Sequence, residues 1–107
     1  MNLSMANAWL ARNMVGFSDI HRFAEQCRDA SSSCGREAAA LILLAQAAAT
    51  FAERQEGIAV DQATVRAFLD NLRAAVQRLS DASEQSDAAL LAALNHFAAG
   101  VSQELFV

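Results

Sequence analysis

The sequence contains no lysine, no proline and no tyrosine, and it has only four glycines and two cysteines among 107 residues. Glycine and proline form most of the tight turns of a small β-sandwich, so their scarcity disfavours an all-β domain. Collagen-like and proline-rich chains are excluded by the same scarcity. Alanine is the commonest residue, and alanine, leucine, glutamine and arginine all favour helix. The composition therefore predicts an all-α protein.

The two thiols, Cys27 and Cys34, are too few for a disulfide framework, and a helical domain of this length does not need one. A disulfide between them and two reduced thiols both remain open. Asn7 and Arg12 interrupt the N-terminal apolar stretch, so we expect no signal peptide. The most apolar run, residues 38–49, is shorter than the roughly 20 residues that cross a bilayer. We expect a cytoplasmic protein that does not contact a membrane.

A formal charge of −4 and a pI of about 4.9 oppose the basic surface that gives phosphate-backbone binding its affinity. A turn at Gly57 followed by a helix imitates part of a helix-turn-helix motif. That helix mixes arginine with aspartate and has little net attraction for phosphate. We therefore expect no direct contact with nucleic acid.

Helical periodicity occurs in four segments and predicts a small four-helix bundle-like domain over residues 19–107. The first helix covers residues 19–29 with Ser18 as N-cap, and the second runs from about Arg36 to Glu56 and stops at Gly57. The second is almost wholly apolar, which predicts that it is the central element. The third covers residues 62–79, with Asp61 as N-cap and an apolar stripe at Val65, Phe68, Leu69, Leu72, Val76 and Leu79. The fourth follows a break at residues 80–86 and carries Leu90, Leu91, Leu94, Phe97, Ala98, Val101 and Leu105.

Residues 1–18 differ from the rest and form a predicted apolar N-terminal arm. It contains five large apolar residues as candidate partner-binding side chains: Trp9, Leu10, Met14, Val15 and Phe17. Tryptophan and methionine are favoured at interface anchors and adaptable surfaces, so one interpretation is that the arm docks on a partner. The other is that these residues cap the domain's own core, because tryptophan is so often buried.

No combination of residues indicates catalysis. His21, Cys27, Cys34 and His96 are metal-ligand types, but His21 and Cys27 are six apart and lie on different sides of a helix. No nucleophile motif occurs, and His96 lacks the lysine that usually follows a phosphoacceptor histidine by three residues. We expect no catalytic residues, no metal and no cofactor.

The function class that we expect is a small regulatory protein that acts by protein–protein contact. The chain has an apolar arm, an apolar C-terminus and more apolar surface than a short bundle can bury. These features are typical of a protein that binds other proteins or a second copy of itself. A homodimer would cover stripes on the second and third helices.

In size, acidity and helical character the whole chain resembles the small antiactivators that sequester LuxR-type quorum-sensing transcription regulators. The resemblance rests on general character and transfers no functional residue. It implies a stoichiometric inhibitor that covers the regulator's ligand-binding or dimerisation surface through apolar anchors.

A second class is a helical chaperone or co-chaperone of a secretion system, which shields an amphipathic partner by packing a helix into a groove. Small type III secretion co-chaperones look similar. Co-purification of a transcription regulator or of a secreted subunit would discriminate between the two classes. An enzyme is the third class, and a deep polar pocket at His21 or His96 would favour it.

Overall fold

A computed structural model describes residues 2–12, 17–33, 35–55, 57 and 61–102, and for Arg12, Phe17 and Ser102 it describes the backbone alone. These residues form five α-helices and one short 3-10 turn. The helices are α1 (Leu3–Arg12), α2 (Phe17–Ser31), α3 (Ala38–Gln55), α4 (Gln62–Gln85) and α5 (Asp87–Ser102), with the 3-10 turn at Gly35–Glu37. The prediction of an all-α, bundle-like fold is confirmed.

The predicted second helix begins two residues late and is preceded by the 3-10 turn. Gly35 and Gly57 have φ values of 55° and 78°, which a residue with a side chain rarely adopts, so both glycines are suited to end or redirect a helix. The predicted stop of this helix at Gly57 fits that geometry. The first predicted helix, in contrast, begins at Phe17, so Ser18 lies inside α2 rather than at its cap.

The predicted break over residues 80–86 is wrong except at its last residue. The chain stays helical through Gln85, because this segment has no glycine or proline and because the side chains of Ser80 and Ala82 are buried. Ser86 alone separates α4 from α5. Its extended backbone donates to the Ala82 carbonyl (3.2 Å), and its hydroxyl accepts from the Ala89 N–H (3.0 Å).

One hydrophobic core contains residues of all five helices. α3 is central to it, as predicted, and buries eight residues: Ala40, Leu41, Leu44, Ala45, Ala47, Ala48, Phe51 and Ala52. Its alanines allow neighbouring helices to approach closely, and α2 packs along it more extensively than any other described helix does. Phe51 stacks on Phe68 of α4 with ring centroids 4.1 Å apart.

The apolar stripe predicted for the third helix faces this core. Phe68, Leu69, Leu72, Val76 and Leu79 are buried, and Val65 is half-buried. Outside this stripe, the exposed Asp70 and the half-buried Arg73 form the predicted pair three residues apart, at 3.2 Å. A homodimer cannot use the apolar stripe of this helix, since the chain itself covers it.

The described part of the predicted N-terminal arm is a helix that shares the core. Leu3, Ala6 and Leu10 recur at three- and four-residue spacing on one face of α1 and are at most 1 % exposed. The boundary between residues 18 and 19 falls inside α2. Among the described residues, no helix is both long and apolar enough to cross a membrane.

Candidate protein-binding site

Polar contacts hold both ends of α1 in place. At its start, the Asn2 side chain accepts from the Met5 N–H, and the Leu3 N–H donates to Oε1 of Glu37, each at 2.9 Å. In the middle, the Asn7 amide donates to Oε1 of Gln77 (2.8 Å). At its end, Nε of Arg73 donates to the Leu10 carbonyl (3.1 Å), where a cation complements the helix dipole. These bonds fix α1 along α4, with the two helices antiparallel.

Glu37 belongs to a polar junction, here defined as Arg36, Glu37, Ser83 and Asp87. The Ser83 hydroxyl donates to Oε2 of Glu37 (2.7 Å) and accepts from Nη1 of Arg36 (2.7 Å). Nη2 and Nε of Arg36 lie 2.6 and 2.7 Å from Oδ1 of Asp87. The junction therefore connects the starts of α1, α3 and α5 with the last turn of α4 at one end of the molecule.

A cleft lies between α1 and the second half of α2. Trp9 of α1 contacts Phe23 of α2 with ring centroids 5.1 Å apart. Toward the start of α1 and the end of α2, Met5 and Ala30 line the cleft, one from each helix. Since Met5 precedes Trp9 and Ala30 follows Phe23, α1 runs antiparallel to α2. The cleft is open to solvent, has a volume of about 410 Å³ and is also lined by Gln26 and Asp29. We call these four lining residues, Met5, Gln26, Asp29 and Ala30, the α1–α2 cleft.

Met5 is an exposed large apolar side chain of α1, at 57 %. Met5 and Trp9 are four residues apart and therefore share one side of the helix, next to the face that Leu3, Ala6 and Leu10 bury. Methionine is unbranched and polarisable, so it adapts to differently shaped partners. The cleft thus combines an adaptable apolar wall with a carboxylate and an amide.

The structure separates the five side chains that the sequence predicted as partner-binding. Trp9 is half-buried beside the cleft, whereas Leu10 is 1 % exposed and belongs to the core. Phe17 begins α2, and nothing is described of its side chain. Met14 and Val15 lie outside the described residues. Of the two members whose side chains the structure describes, Trp9 lies beside the cleft without lining it, and Leu10 does not.

The second apolar surface is the outer side of α5. Leu91 is 59 % exposed, and three further apolar residues on its flank are half-buried: Ala98, and Leu94 and Val101, which also pack against the core. Their spacing of three and four residues makes one stripe along the helix, beside the buried Leu90 and Phe97. Residues 88–102 contain no aspartate, glutamate or arginine. We call Leu91, Leu94, Ala98 and Val101 the α5 stripe. Leu105 lies outside the described residues.

The titratable candidates of the sequence lie apart from the α1–α2 cleft. His21 and His96 are exposed on different helices, and Cys27 is buried in α2. Cys34 lies outside the described residues, so its pairing with Cys27 stays open. Within the described ranges, no three histidine, cysteine or acidic residues are grouped so that they could hold a metal ion.

Asp61 confirms a predicted cap. Its carboxylate accepts from the Thr64 N–H at 2.7 Å, and its backbone is extended, as an N-cap requires. Hydrogen bonds to Thr64, and to a smaller extent to the Ala63 N–H, favour the charged form and lower the pKa of Asp61 below its ordinary value of 3.8.

Sequence reasoning missed Met5, the Gln26–Asp29–Ala30 wall and Glu37. Asp29 and Ala30 follow Gln26 on α2 by three and four residues, and that spacing is visible in the sequence. The presence of α1 opposite them is not, because it depends on the fold. Glu37 gives no sequence signal at all for capping a helix that begins 34 residues earlier.

The fold and this surface define a small all-α protein with an open, partly apolar cleft and a separate uncharged helix face. No protein-family model matches the chain, and the searches of curated proteins and of solved structures found no significant match.

Proposed function

We propose that this protein is a small regulatory protein that acts by binding another protein rather than by catalysis, and that the α1–α2 cleft is its main contact. The observation that carries the proposal is the 57 % exposure of Met5 at the wall of an open cleft, with the half-buried Trp9 on the same side of α1. Exposed methionine and tryptophan next to a concave surface are typical of partner anchors.

The partner that we propose to test first is a LuxR-type transcription regulator, with the protein acting as a cytoplasmic antiactivator that sequesters it. This choice rests on the resemblance in size, acidity and helical character. The cleft supports the mode of binding that the resemblance implies, since it offers apolar contact to a regulator's surface without a basic patch for DNA.

A helical chaperone of a secretion system is the second candidate, and the α5 stripe favours it. An amphipathic helix of a secreted subunit could pack on Leu91 and Leu94 as on a groove wall. The two candidates use different surfaces, so variants at Met5 and Leu91 separate them.

We also propose that the protein forms a homodimer, with the α5 stripe rather than the buried stripe of α4 as the contact. On a chain of net charge −4, residues 88–102 carry no acid, so two copies can approach there without like-charge repulsion. Alanines at positions 88, 92 and 99 leave room for close helix packing.

The test of the cleft uses Met5→Glu with Ala8→Glu as its matched control. Both residues are exposed on α1, but Ala8 does not line the cleft. Each variant is co-expressed with a LuxR-type regulator, and complex formation is measured by affinity capture together with a promoter reporter. We expect Met5→Glu to weaken capture at least tenfold, or about 1.4 kcal/mol, and to restore transcription, while Ala8→Glu behaves as wild type.

Equal capture of both variants would contradict the assignment of the cleft. Absence of capture by the wild type would contradict the regulator as partner, and capture of a secreted subunit that depends on Leu91 would favour the chaperone.

A further inference from the structure

The α1–α2 cleft contains acceptors and no cation. Asp29 is its one charged residue, and neither its carboxylate nor the Gln26 amide has a hydrogen bond or ion pair among the described residues. Arg22 lies seven residues before Asp29 on the same side of α2, but it pairs with Asp19 at 3.2 Å. The carboxylate therefore faces the cleft without a positive partner from the described chain.

The spacing of the acceptors favours one shape of cation. Gln26 and Asp29 are three residues apart on a helix, which puts their Cβ atoms about 5–6 Å from each other on one face. A planar guanidinium presents several N–H groups in a fixed fork and can donate to two such acceptors at once, whereas an ammonium is a compact point charge.

The apolar walls suit the rest of such a side chain. Met5 on α1 and Ala30 on α2 offer only carbon and sulfur to the cleft, and the methylene stem of an arginine packs favourably on such surfaces while its charged end stays near water. A volume of about 410 Å³ falls within the range of about 300–1,000 Å³ that small-ligand pockets span.

We propose that the α1–α2 cleft is a binding site for an arginine side chain of the partner. Its methylene stem lies between Met5 and Ala30, and its guanidinium donates to the Asp29 carboxylate and to the side-chain carbonyl oxygen of Gln26. The inference rests on the proposed function, since it names the chemistry of the partner that fills the same cleft. It requires a partner segment with an exposed arginine beside apolar residues.

The test uses defined probes instead of the partner. The ¹⁵N-labelled full chain is titrated with acetyl-leucyl-arginine amide and, separately, with acetyl-leucyl-citrulline amide, which has nearly the same shape without the charge. We expect the arginine probe to shift the amide signals of the four cleft residues in a saturable way, and the citrulline probe to bind about fivefold more weakly, the scale of an exposed ion pair.

Asp29→Asn should reduce binding of the arginine probe to the level of the citrulline probe. Glu25→Gln is the matched control, since it also removes an exposed acid from α2 but does not line the cleft, and it should leave the arginine probe's affinity unchanged. Circular dichroism of both variants checks that helix content is unchanged.

Equal binding of the two probes, signal changes outside the cleft, undiminished binding to Asp29→Asn or no binding at all would each overturn the inference. The proposed function fails separately. If Met5→Glu abolishes capture of the regulator while Asp29→Asn does not, the cleft binds a partner but not through arginine. If the probe binds through Asp29 while Met5→Glu still captures the regulator, the cleft's chemistry holds and its role in that complex does not.

Discussion

Single side chains in this protein join helices that are far apart in the sequence. Glu37 is the clearest case, because one carboxylate oxygen accepts from the first N–H of α1 and the other from Ser83 in α4. Arg73 has a similar role at the other end of α1, where it contacts both Asp70 and the Leu10 carbonyl. The sequence identified Arg73 as part of a solvated pair and gave no reason to connect it to α1.

The interior position of Leu44 gives a prediction about a single residue. Leu44 is 0 % exposed in the centre of α3, so Leu44→Asp buries a carboxylate without a partner. The cost, about 3–5 kcal/mol or more, is comparable to the whole stability of a small domain. We expect loss of the cooperative thermal transition at neutral pH, measured by circular dichroism. Ile42→Asp on the same helix, where the side chain is 45 % exposed, should still unfold cooperatively. A wild-type melt for Leu44→Asp would show that α3 is not central.

Helix boundaries were predicted well at Gly57 and Asp61 but not at the predicted cap Ser18, which lies inside α2. Asp61 and Gly57 both lie where the sequence placed the punctuation around the predicted third helix. The segment after Leu79 was predicted poorly, because a run of small polar residues has weak preferences and packing of Ser80 and Ala82 decided in favour of helix. α2 begins at Phe17, two residues earlier than predicted.

The cap at Asp61 gives a prediction at the scale of an element. Because the pKa of Asp61 is lowered in the folded state, its charged form stabilises α4 at pH values above 3.8, and this contribution is lost as the pH falls through the lowered pKa. We expect Asp61→Ala to lower the midpoint of thermal unfolding and to speed hydrogen exchange of the Thr64 amide at pH 7.

The difference between the wild type and Asp61→Ala should shrink in acid below pH 3.8. Asp61→Asn is the control, since asparagine also caps helices but has no charge to lose. If the difference in unfolding midpoint between the wild type and Asp61→Ala stayed constant into strong acid, the role of the charged carboxylate would be contradicted.

At the scale of the whole molecule, the five helices share one core, and besides the exposed Ile42 of α3 the described residues leave two partly apolar surfaces open to solvent. One is the α1–α2 cleft and the other is the α5 stripe. A chain of this length has a high ratio of surface to volume, so an apolar helix such as α5 cannot bury every side of itself against two neighbours. The two surfaces differ in charge, because the α1–α2 cleft contains a carboxylate and the α5 stripe contains none.

The α5 stripe gives a prediction about assembly. The monomer has a mass of 11.4 kDa, and we expect size-exclusion chromatography with light scattering to show twice that mass for the wild type as concentration rises. Leu91→Glu puts two like charges into the proposed two-fold contact and should return the protein to the monomer mass. Ala74→Glu, on the exposed side of α4, is the control and should still dimerise. A wild type that stays monomeric, or a dimer that Leu91→Glu leaves intact, would contradict the contact.

The sequence by itself determined the helical class, the central position of α3 and the buried stripe of α4. These properties are local, since composition, the spacing of apolar residues and capping side chains act within one helix. It also pointed to residues near the N-terminus as a candidate partner surface, with Trp9 among them.

Only the tertiary structure decided how those residues are divided. Periodicity says which side of a helix is apolar, but which neighbour covers that side depends on where the other helices pack. α1 docks on α4, so Leu10 is buried while Met5, which was not among the five predicted partner-binding residues, lies at the open cleft. In the same way, the sequence did not show which leucines of α5 are covered, whereas in the structure Leu90 is buried and Leu91 is exposed.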